Sequence, residues 1–150
     1  MTTATDNRYF RGITVGLPNA PHFRTLTDVL LTGPADTRPD LFLGAQRRAE
    51  EEFDLRSDSY ATTWFDLSPN VLVPLDEPPL PVFWTLAVSW HDGSGVHQAT
   101  SHGDCLALQH DTRSGLLDLV RQMTVKENGV PEDHGVLSFT CGPARLGEAR

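Results

Sequence analysis

A chain of 150 residues with 39% apolar and 21% charged residues has the composition of one ordinary globular domain. No apolar run approaches the roughly 20 residues needed to cross a bilayer, so no membrane partner is expected. The net charge of -8, without a basic stripe, disfavours direct phosphate contacts to nucleic acid.

Residues 1–8 read as a disordered polar tail. The first residues hold no apolar segment of a secretory signal, so the expected location is cytoplasmic. Tyr9 to Leu17 reads as a strand ended by Pro18-Asn19. Residues 22–32 place Phe23, Leu26, Leu30 and Leu31 on one helical face, and Gly33-Pro34 stops that short helix. Asp40 then serves as the expected N-cap of a stronger helix. Leu41, Phe42, Ala45, Ala49 and Phe53 keep its apolar stripe to about residue 54. Arg47, Arg48, Glu50, Glu51 and Glu52 form its solvated face. Ser59 to Leu67 reads as a strand, and Val71 to Leu75 as another short one. Pro78, Pro79 and Pro81 make the next segment a linker or rigid crossover, since prolines do not fit a central strand. No internal repeat is visible.

The last third carries the clearest pattern. Trp84, Leu86, Val88 and Trp90 alternate with small or polar residues, which predicts a strand with one heavy apolar face. Asp92-Gly93 is a favoured pair for a two-residue hairpin turn, which would put His97 opposite Val88. Val96 to Ser101 returns as a strand, Ser101 to Asp104 gives a second turn or bulge signal, and Cys105 to His110 continues. Asp111 and Thr112 cap a helix whose stripe is Leu116, Leu117, Val120 and Met123. Asn128-Gly129 and Pro131 end it. In the following strand, Leu137, Phe139 and Cys141 should face inward, and Val136, Ser138 and Thr140 outward. Trp64, Phe65, Phe83, Trp84 and Trp90 are read as core; left uncovered, they would form an interface.

This stretch, about residues 84–146, resembles a ubiquitin-like β-grasp domain. The resemblance is carried by Asp111-Thr112, Leu116, Val120, the loop Lys126 to Asp133, the strand Val136-Leu137-Ser138-Phe139, and Gly142 and Leu146 after it. It implies an α+β fold: a mixed β-sheet with a packed helix as the core, and an N-terminal helix and strand extension over residues 9–81. The mixed sheet would take a further strand from residues 9–17 or 59–67, integrating that region with residues 82–150. The tail Gly147-Glu148-Ala149-Arg150 lacks the glycine pair of a conjugated modifier. Ser138 stands where ubiquitin has its apolar recognition residue. Neither that role nor that patch is therefore implied.

Chemistry is sparse. Cys105 and Cys141 are expected as free buried thiols. His91, His97, His102 and Asp104 cluster in sequence, but their strand parity scatters them, so a metal site is only the alternative reading and no cofactor is expected. No nucleophile elbow, Walker or Rossmann glycine pattern or carboxylate pair is present. One lysine, Lys126, and one isoleucine, Ile13, point to a high-GC bacterial genome or its mobile elements. The chain thus reads as a non-catalytic protein-binding accessory or adaptor, its partner unidentified, with Val136, Ser138 and Thr140 as a candidate surface. Two alternatives stay open: a small enzyme or metal-binding protein using the His91–His110 region, and a structural subunit of a phage-like or oligomeric assembly.

Overall fold

The computed structural model describes residues 7–17, 22–74 and 76–146. The expectations for residues 1–6, Pro18-Asn19, Leu75 and the tail 147–150 lie outside these. Asn7 and Arg8, read as tail, are placed. Arg8 opens strand β1, Arg8–Gly16, and the Asn7 carbonyl accepts from the Thr32 amide at 3.0 Å.

Residues 22–32 correct the helix expectation. They form strand β2, Phe23–Leu31, which pairs antiparallel with β1 along its length. The segment fits both periods: Thr25, Thr27, Val29 and Leu31 also alternate with Leu26, Asp28 and Leu30. The neighbouring strand decides between them, because a paired ladder satisfies the backbone groups of β1 as well.

Helix α1, Arg38–Phe53, is capped by Thr37 rather than Asp40. The Thr37 hydroxyl accepts from the Asp40 amide, so Asp40 sits in the first turn, where its charge suits the helix dipole. Strand β3, Ala61–Pro69, follows. Val71 makes only an isolated bridge to Thr112, not the short strand expected. Strand β4, Leu80–Asp92, includes Pro81. The proline is tolerated at the strand's start: β6 pairing begins only at Val82, and the Pro81 carbonyl accepts from Ala144 instead.

Strand β5, Gly95–Ala107, is continuous through Ser101–Asp104, with no second turn. Gly103 lies opposite Trp84, where an added Cβ would stand 2.8 Å from the Trp84 ring. It makes room for the indole rather than breaking the strand. Gly93 and Ser94 form the hairpin loop, since Asp92 pairs with Gly95. Positive φ falls on Gly95 (121°). The register therefore slips by two from expectation, and His97 faces Trp90, not Val88. A slip of two keeps the face. Helix α2, Arg113–Asn128, has Thr112 as N-cap and left-handed Gly129 at its end, as the capping residues predict. Strand β6, Gly135–Pro143, pairs with β4.

The six strands form two three-stranded sheets, ordered β2-β1-β3 and β5-β4-β6. Every pairing is antiparallel. The mixed sheet is thus corrected: β6 runs antiparallel beside β4, and the N-terminal strands build a sheet of their own instead of completing the second.

The absence of a repeat is corrected too. Each half is a hairpin, a 16-residue helix and a strand returning beside the hairpin's first strand. Each has a bulge at the same place, skipping Thr63 opposite Thr14/Val15 and Leu137 opposite Ala87/Val88. Arg38 donates to the Leu67 carbonyl at 3.0 Å, and Arg113, at the same helix position, to the Cys141 carbonyl at 3.5 Å. The side chains differ where the backbones agree. The cross-strand pair Arg11–Asp28 of the first half is an ion pair at 2.6 Å; its counterpart in the second is Trp84 over Gly103.

Alternate faces explain the packing. Ile13 and Val15 carry Ala45 and Ala49 of α1. Leu86 and Val88 carry Leu116, Leu117 and Val120 of α2. Phe10, on the other face of β1, is fully buried in that second cluster. The second unit therefore covers the helix-free face of sheet one. The junction is close: the Val136 amide donates to Thr25 Oγ1 at 2.7 Å, and a Cβ on Gly135 would stand 2.9 Å from the Phe23 carbonyl oxygen. Met123, expected in the core, is 38% exposed; Thr124 takes the buried place instead. Phe83, also read as core, is 43% exposed, because it points away from α2.

Candidate functional site

Opposed residues of β4 and β5 share a face. His97, opposite Trp90, lies on the helix side and stacks on that indole, ring centroids 5.5 Å apart. His102 and Asp104 lie on the opposite, helix-free face, with His102 beside the Phe83 ring. His91 meets the ring of His22 edge-on at 5.2 Å. The four residues of the metal alternative are therefore not brought together. Among the described residues no group of three His, Cys, Asp or Glu is placed to hold a metal ion.

The hairpin tip does assemble a serine, a histidine and an aspartate. Ser94 Oγ is 2.9 Å from His97 Nε2, and Asp92 Oδ1 is 2.7 Å from Ser94 Oγ and 2.9 Å from the same Nε2. In a catalytic triad the carboxylate holds the other ring nitrogen and leaves Nε2 free to take the serine proton. Here the Asp92 carboxylate faces Nε2 itself, so that nitrogen carries the proton and donates it. The serine has no base. Asp92 also accepts from the Ser94 amide at 2.8 Å. The hydroxyl and amide of Ser94, then His97, hold its carboxyl down at about 2. The trio is a clamp on the loop.

A groove of about 510 Å³ runs along α2, lined by Asp118, Arg121, Lys126, Glu132 and His134 among others. His134 is buried. Its Nδ1 donates to the Pro131 carbonyl at 2.7 Å, and its Nε2 accepts from Arg121 Nε at 3.0 Å. Burial lowers the His134 pKa, the Pro131 carbonyl raises it, and the Arg121 charge lowers it. Burial lowers that of Arg121 as well, against the opposing charge of Asp118. Both imidazole nitrogens are committed, so the ring fixes the α2–β6 loop and has no lone pair left for acid–base work. The thiols are similarly quiet. Burial raises the pKa of Cys105 and Cys141, and both are free.

The remaining feature is the helix-free face of sheet two. Phe83, Val96 and Leu106 are exposed on it at 43%, 47% and 58%. Between them lie Thr85, Thr100, His102 and Asp104. Thr85 and Thr140 join hydroxyls across the strands at 2.6 Å. Of the surface residues proposed from sequence, Thr140 is exposed and Ser138, opposite Ala87, half-buried on this face. Val136 is fully buried. The bulge at Leu137 inverts parity there and turns Val136 inward beside Val88. The alternation of Trp84, Leu86 and Val88 already implied that Phe83 points outward. Arg121 and His134 had no such signal, since their pairing needs the folded loop.

No helix among the described residues is long and apolar enough to cross a membrane. No known protein-family model matches the chain, and no curated protein matches it significantly.

Proposed function

We propose that this chain is a non-catalytic protein-binding module that docks a partner on the helix-free face of sheet two. One observation carries the reading. Phe10 and Phe83 hold equivalent places in the two units, and Phe10 is fully buried by the other unit while Phe83 is 43% exposed. The same kind of face that is covered inside the molecule is thus open on its outside. Exposed aromatic and aliphatic side chains within a band of hydroxyls have the make-up of a binding surface: apolar anchors and a polar surround. The commitment of Ser94, His97 and His134 to structural bonds favours binding over catalysis at these places. The ubiquitin-like likeness enters only through the order hairpin, helix, strand in the second unit. The host expected from composition is a high-GC bacterium or its mobile elements.

The test is affinity capture from that host. Wild type should retain a partner that Phe83→Glu loses, while Asp118→Asn, in the α2 groove, retains it. All three proteins should show the same circular dichroism. Equal capture by the Phe83→Glu variant would remove the face from consideration.

A further inference from the structure

The edge of sheet two carries a separate inference. Strand β5 pairs with β4 on one side and, among the described residues, with no strand on the other. Exposed edges are normally blunted by shortness, bulges, prolines or lysines. The other edges here show such devices. Strand β3 has a bulge and ends in Pro69. Strand β2 is charged at Arg24 and Asp28, and Asp28 is paired to Arg11 and Arg48. Strand β6 packs on sheet one. Strand β5 has none of them. It runs 13 residues in unbroken register, without proline, lysine or arginine, and its single carboxylate is Asp104.

We propose that two copies of this chain pair antiparallel along β5, about a two-fold axis at Ser101, joining two three-stranded sheets into one of six strands. The sequence of β5 complements itself in that register. Val96 meets Leu106 of the second copy, so two exposed aliphatic residues cover each other. Gln98 meets Asp104 of the second copy, an amide donor beside a carboxylate. Thr100 meets His102. All six lie on the same face of β5, so the two sheets continue face to face without inversion. Cross-strand pairs of these kinds stabilise sheets. Sliding by two residues either way sets Val96 against Asp104 or Gln98 against Leu106, and the match is lost. The axis also accounts for Met123. It stands exposed beside Thr100, Ser101 and His102 in a groove of about 310 Å³ lined also by Glu127, close to where the second copy would lie. The pairing shares Val96 and Leu106 with the docking face above, whereas Phe83, on β4, belongs to the docking reading alone.

Sedimentation equilibrium tests it. Wild type should have twice the 16.5 kDa mass of one chain. Val96→Lys with Leu106→Lys should halve that mass and leave the circular dichroism unchanged. Ser101→Cys, in a chain with both native cysteines replaced by Ala, should cross-link to itself on mild oxidation, because only the residue on the axis meets its own copy within disulfide reach. Gln98→Cys in the same background should not. A wild type that stays at the mass of one chain at all concentrations overturns the proposal and leaves the edge to an extended segment of another protein. A dimer that survives the lysines, or that fails to cross-link at Ser101→Cys, also overturns it. If the lysine variant does not fold, the contrast between the two cysteine variants decides alone.

Discussion

Phe10 and Phe83 occupy the same position on the central strands of the two sheets, one wholly buried and the other 43% exposed. The two rings share a backbone setting, and the second unit lies over Phe10 but not over Phe83. Phe10→Ala should cost about 3–5 kcal/mol through the cavity it leaves. Phe83→Ala should change stability by less than about 1 kcal/mol. Denaturant melts of the two variants measure the contrast directly; equal losses would mean that Phe83 is covered.

Gly135 and Gly142 provide a second contrast within one strand. A Cβ at Gly135 runs into the Phe23 backbone, where β6 meets β2, whereas a Cβ at Gly142 meets nothing within 4 Å. Gly135→Ala should destabilise by about 1–3 kcal/mol, since backbone cannot yield as a side chain can. Gly142→Ala should be near neutral. Thermal melting of both variants checks this.

Asp92 sets an acid response. Its folded pKa, about 2, lies below the ordinary 3.8. Its contribution is therefore present above about pH 4 and is lost as pH falls toward 2. The melting difference between wild type and Asp92→Ala should be constant near neutrality and shrink as pH falls from about 4 toward 2. An undiminished difference there would show that the clamp does not depend on the charge.

His134 acts in a higher window. Its folded pKa is lowered from 6.5, chiefly by burial. The unfolded chain takes up the proton first, so stability is complete above about pH 6.5 and declines as pH falls below it, until the folded ring also protonates. His134→Gln should flatten the pH profile of stability below about pH 6.5 relative to wild type. An unchanged slope would show that this ring does not titrate with unfolding.

The second unit was legible because its signals are local. The capping residue Thr112, the stop at Gly129 and Pro131, and the alternation from Trp84 to Trp90 each act within a few positions. What was missed depends on distant partners. β2 is a strand because β1 lies beside it. Asp92-Gly93 looked like the loop centre, but Asp92 serves from the strand end, as the loop's acceptor. The bulge that turns Val136 inward leaves no mark in the residues around Leu137. The duplication was hidden because its slots hold unlike chemistry, Arg11 with Asp28 against Trp84 with Gly103. A few like residues remain at matched places, such as Arg38 and Arg113, or Phe65 and Phe139. Of the candidate surface, the outward parity of Phe83 was readable, but its exposure was not, since that depends on which unit covers which.

That one-sided covering has a consequence for biosynthesis. On the ribosome the residues of the first sheet and helix emerge first, while the rest of the cluster that buries Phe10 is still being added. Until Leu116, Val120 and Phe139 have left the exit tunnel, the nascent chain carries an uncovered aromatic face. The first half can bury Phe10 only after the second has been synthesised.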